Sequence, residues 1–192
     1  MKYLISIAVF LTMMAAGVGL YFFIYQGYYP VAAIGTNLIS AKDFNKNYLA
    51  SVNYSRAVLS AYGKDLKDFD GEASIKEIKK GVLSKLIENE LIYAEADKQI
   101  GKDLNRLAVE RIDKLLASSS IDEAVTEKIY GLKMDDFMEV VMYPEAYREI
   151  LEEKFVSDGK NFDEWFSGIK EKAKIFVLMS GFSWKNGEIV LK

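Results

Sequence analysis

The two residue types most used for covalent chemistry are missing from this chain: its 192 residues contain no Cys and no His. That removes thiol nucleophiles, Ser-His-Asp and Cys-His arrangements, the usual zinc sites and disulfides. Ser157-Asp158-Gly159-Lys160 and Ser167-Gly168-Ile169-Lys170 both show the serine–lysine spacing S-x-x-K. Neither has S-D-N or K-T-G downstream, and such hits arise by chance in a lysine-rich chain. Gly63, Gly101 and Gly159 each precede a lysine, but none of those lysines is followed by Ser or Thr, so there is no phosphate-cradling loop. The reading is therefore a non-enzyme, with no catalytic, cofactor-binding or metal-binding residue and no cofactor.

One titratable side chain stands out. Glu90 falls four residues after Leu86 and three after Ile87, inside an apolar helix face. As chemistry, it would be an acid or base whose pKa desolvation raises. As structure, it is a charge partnered by Arg111 or Arg148, and this is the preferred reading; Glu90→Gln should then lower stability rather than any activity.

A second cluster suits binding. Met134, Met138 and Met142 recur every four residues, with Phe137 and Val141 beside them and Tyr143 following. Flexible thioethers fit a surface that accepts many sequences. The same stripe also fits the buried face of a helix, which amphipathic patterning favours.

The elements that must hold these residues can be read in order. No charged residue occurs between Lys2 and Lys42, and residues 3–25 would rise about 34 Å as a helix. The expectation is a signal anchor or transmembrane helix over residues 1–29, with the aromatic cluster from Tyr21 to Tyr29 at the outer interface. The alternative is a cleaved signal peptide ending near Ala15-Ala16-Gly17. Either way residues 30–192 would form one domain on the extracytoplasmic (periplasmic or outer) side of the cell membrane. The net charge of −3 and the lack of a basic stripe argue against nucleic acid.

Within residues 30–192, Val31 to Ile34 and Leu38-Ile39 read as a small β element running into a helix capped by Ser40 and ending at Gly63. A charged loop spans Lys64 to Ala73. A long helix then opens at Ser74 and closes at Gly101, and a third starts at Asp103. Ser120 caps a fourth ending at Gly131; a fifth runs from about Met134 to Met142. Pro144 starts a sixth and Asn161 caps a seventh. Ile175 to Met179 reads as a strand, and Asn186-Gly187 marks a hairpin turn. Short strands at the two ends should pair with each other. The expected fold class is mainly α, with a transmembrane helix followed by about seven helices and one small β element made by both ends.

The order of these elements is familiar. The run from Ala33 to Phe44 resembles the entry of the SurA-type chaperone domain, and Val82 to Ala96 resembles that family's Leu-x-x-Leu-Ile-x-x-x-Leu-Leu-x-x-x-Ala helix. Ala173 to Leu178 resembles the strand that closes the same domain in SurA, PrsA and PpiD foldases. Family members usually carry a histidine-dependent parvulin isomerase domain. This chain has no histidine and only Ser157 to Lys160 between the sixth and seventh helices. The resemblance therefore implies the chaperone part alone: a holdase binding unfolded or newly exported polypeptides, with the export translocon as a further expected partner and Met134, Phe137, Met138, Val141, Met142 and Tyr143 as client-binding residues. The alternative is a non-catalytic scaffold in an envelope or translocon complex.

Overall fold

In the computed structural model, residues 2–66 and 69–192 are described, with the side chains of the first helix described from Thr12 onward. Helix α1 (Lys2–Tyr25) leads into strands β1 (Pro30–Ile34) and β2 (Asn37–Ser40), then α2 (Ala41–Ala61) and α3 (Glu72–Ile100). After a 3-10 turn follow α4 (Leu104–Ser118), α5 (Glu123–Tyr130) and α6 (Met134–Phe137). A π-turn (Met138–Met142) joins α6 to α7 (Tyr143–Ser157); α8 (Phe162–Lys172), β3 (Ile175–Val177), β4 (Phe182–Lys185) and β5 (Glu188–Leu191) complete the chain.

Several boundaries are set locally. The Ser40 hydroxyl accepts the Asp43 N–H at the start of α2, and the Asn161 side chain accepts the Glu164 N–H at the start of α8. Other starts differ from the sequence reading. Helix α3 begins at Glu72 after Gly71, two residues before Ser74, and α5 is capped by Asp122, which accepts the Val125 N–H, rather than by Ser120. The fifth and sixth expected helices are joined without a break. Pro144 has no N–H for the Val140 carbonyl, so the backbone widens there, and the Tyr143 N–H reaches back five residues to the Met138 carbonyl.

Helix α3 is the spine. Leu83, Ile87 and Leu91 on it pack with Val31, Ile39, Phe44, Phe182 and Ile189 from the strands and α2. Further along, Ile92 and Ala96 enter a second core with Leu104, Ile112, Leu151, Phe155 and Phe166 from α4, α7 and α8. The two ends meet as expected from the instability of lone short strands: β1 pairs antiparallel with β2 on one side and β3 on the other.

The expected fold class and location are corrected on two points. Instead of one β element there are two sheets, because β4 and β5 close on their own turn, where Asn186 and Gly187 both take positive φ, and do not join the order β2-β1-β3. Among the described residues no helix is long and apolar enough to cross a membrane. The expected transmembrane helix over 1–29, the single-pass placement in the cell membrane and the membrane contact are therefore not upheld. Residues 1–11 of the expected span lie outside the described side chains.

Candidate binding surface

The methionine stripe runs through α6 and the π-turn, beside α5 and tied to α2 through Lys46. Phe137 (3% exposed) and Met142 (8% exposed) are buried in the helical core, while Met134, Met138, Val141 and Tyr143 pack against it half-buried. The stripe is thus split by depth: two side chains lie beneath and four reach the surface layer.

What lies beside that layer could not be read from one segment. Tyr54 of α2 stacks on Tyr130 of α5, with ring centroids 5.3 Å apart and planes 13° from parallel, and Tyr130 in turn meets Phe137 at 5.0 Å. Tyr54 stays 45% exposed. Tyr54 and Tyr130, with Ala50, Val140, Val141 and Lys85, line a groove of about 250 Å³. Burial pushes the Tyr130 hydroxyl above its ordinary pKa and the nearby Tyr54 adds to the shift, so Tyr130 serves as a neutral donor and acceptor. A second tyrosine group lies on α3 and α7: Tyr147 of α7 is 5.1 Å from Tyr93 and 6.0 Å from Tyr143, and its hydroxyl donates to Asn105 Oδ1 at 2.9 Å.

The groove is held from both sides. Lys46 of α2 bridges Asp136 and Glu139 at 2.7 Å each, tying α2 to α6 and the π-turn. Asn53 Nδ2 donates to the Tyr130 carbonyl at 3.1 Å, fixing the end of α5 against α2. Such a face offers apolar rings, short aliphatic side chains and neutral hydroxyls, which suits contact with apolar polypeptide of varied sequence. Of these residues the sequence reading named Val141, Tyr143, Met134, Met138, Phe137 and Met142. It missed Tyr54, Tyr93 and Tyr130, whose only local signal is the high tyrosine content, twelve in all.

Glu90 is not partnered by an arginine. Its Oε2 accepts from Asn37 Nδ2 at 3.3 Å, while Arg111 pairs with Glu149 and Glu153, and Arg148 pairs with Glu152 and lies over the Phe162 and Phe166 rings. The correction follows from packing: α3 turns Glu90 toward β2, whereas Arg111 on α4 faces α7 and Arg148 on α7 faces α8. Burial raises the pKa of Glu90, and the nearby Asp43 charge adds to the rise against the opposing Asn37 hydrogen bond.

The family model for the SurA-like N-terminal domain matches residues 1–155, from α1 to near the end of α7. That module is a non-catalytic, chaperone-type domain. No curated protein and no solved structure matches the chain. With most of its length under that match, this chain belongs to the SurA-like N-terminal domain family.

Proposed function

We propose that this protein is a holdase-type chaperone that binds unfolded polypeptide, without isomerase chemistry, on the face made by the Tyr54–Tyr130 groove and the Tyr143 group. The carrying observation is the groove itself, in which a stacked but half-exposed tyrosine pair sits beside Val141. Rigid aromatic rings with polar tips give contact area at low cost in side-chain entropy. Met134, Met138, Val141 and Tyr143 supply the adjustable part of the contact, and Phe137 and Met142 support it from beneath. Affinity for any one segment should be low, as for other adaptable surfaces.

The test is dilution of a chemically unfolded, aggregation-prone client into buffer with the full chain, followed by light scattering. Suppression that weakens in a Tyr54→Ala, Val141→Ser double variant supports the reading. No suppression at several-fold excess of chaperone over client overturns it.

A further inference from the structure

A second cleft, between β2 and the π-turn, shares Asn47 and Val140 with the groove above and opens against β2 instead of α5. It has a volume of about 250 Å³, with Leu38 on one wall, Val140 and Pro144 on the other, and Asp43 and Glu90 among its polar lining. Two features of its walls say what would fill it.

The first is the backbone of β2. Ile34 and Asn37 flank a two-residue turn and face each other in the β1–β2 register, which makes them the hydrogen-bonded pair and Ala33↔Leu38 the non-bonded one. The Leu38 N–H and C=O therefore point away from β1, along an edge that no described strand occupies. The same parity holds on the other side of β1, where Leu178 donates to the Val31 carbonyl at 2.8 Å. The Leu38 side chain is 63% exposed. An edge of this kind is a template for one more extended strand.

The second is charge. Asp43, Glu90 and Glu139 line the cleft against one cation, Lys46, which is already shared between Glu139 and Asp136. Among the described residues, Glu90 has only the Asn37 amide as its hydrogen-bond partner. The lining thus carries an excess of negative charge, with Glu90 and Asp43 uncompensated by any salt bridge among the described residues.

We infer that this cleft binds an extended, basic polypeptide segment as an added strand on β2, with a lysine or arginine side chain of that segment seated against Glu90 and Asp43. The proposal deepens the polypeptide-binding reading and rests on it, by naming a second site and the chemistry of the segment it takes. Acidic segments are repelled, and segments held in helices cannot meet the Leu38 backbone.

The probe is a fluorescently labelled, alternating Val-Lys peptide, titrated into the full chain and followed by anisotropy. Binding that weakens steeply with added salt, and about tenfold on Glu90→Gln or Asp43→Asn, is the expected result. Strand addition also has a register signature: N-methylation of every second residue should abolish binding in one register and spare it in the other. Equal affinity for the Glu90→Gln chain, or equal binding of both N-methylated registers, overturns the proposal. Tyr54→Ala separates the two sites. It should weaken aggregation suppression and leave affinity for the Val-Lys peptide unchanged, so a chain that suppresses aggregation but binds no Val-Lys peptide refutes this inference alone.

Discussion

Tyr54 and Tyr130 stack face to face at 5.3 Å across two helices, and Tyr54 is still 45% open to solvent. A ring this exposed gains little from burial, so its main contribution to folding is the pair itself, about 0.5–1.5 kcal/mol. Tyr54→Ala should therefore cost about 1 kcal/mol by denaturant unfolding and lose a larger share of client binding. A variant that unfolds without any change in aggregation suppression, measured below its melting point, would assign the stack to structure alone.

Gly131 holds the other half of that pair in place. It closes α5 at φ +67, a conformation that side chains other than glycine rarely adopt. A Cβ there would collide with Asn53 Nδ2, the group that donates to the Tyr130 carbonyl. Gly131→Ala should destabilise by about 1–2 kcal/mol and shift Tyr130 away from Tyr54. Near-ultraviolet circular dichroism and thermal unfolding check the two effects separately; unchanged spectra with unchanged melting would refute the claim.

Glu90 gives a pH dependence with a defined sign. Its folded-state pKa is raised above the ordinary 4.5 because burial penalises the carboxylate. The folded chain then holds this proton over a window in which the unfolded chain has released it, so stability falls as pH rises from the ordinary value through the raised one. Glu90→Gln removes that penalty while keeping an acceptor for Asn37. It should match the unaltered chain at acidic pH and exceed it in melting temperature at neutral pH. This reverses the loss expected from an arginine partner, and it means that weaker peptide binding by the same variant cannot come from unfolding. A lower melting temperature for Glu90→Gln at neutral pH would restore the structural-charge reading.

Leu83, with no exposed surface, sits where α3 crosses the strands. Leu83→Ala should cost about 2–5 kcal/mol, since the site is held by two layers and cannot collapse. Urea unfolding measures it; a loss under about 1 kcal/mol would mean the sheet moves in to fill the space.

The features legible along the chain are local. Ser40 and Asn161 cap their helices because the side chain needed lies within a turn of the backbone it serves, and Asn186-Gly187 sets its hairpin through two residues' own torsions. The absence of Cys and His excluded their chemistry without any fold at all. The order of elements and the resemblance to SurA-type domains were legible for the same reason, since a family pattern is written along one chain. Tertiary structure alone decided the rest. Pro144 announced a helix start but not that a π-turn would carry α6 straight into α7, because that depends on what both pack against. Glu90 could be recognised as misplaced, yet its partner was Asn37, 53 residues away, and not an arginine. The depth of the methionine stripe, the Tyr54–Tyr130 stack beside it and the open edge of β2 each arise where distant segments meet, and periodicity within one segment carries no record of the segment it will face.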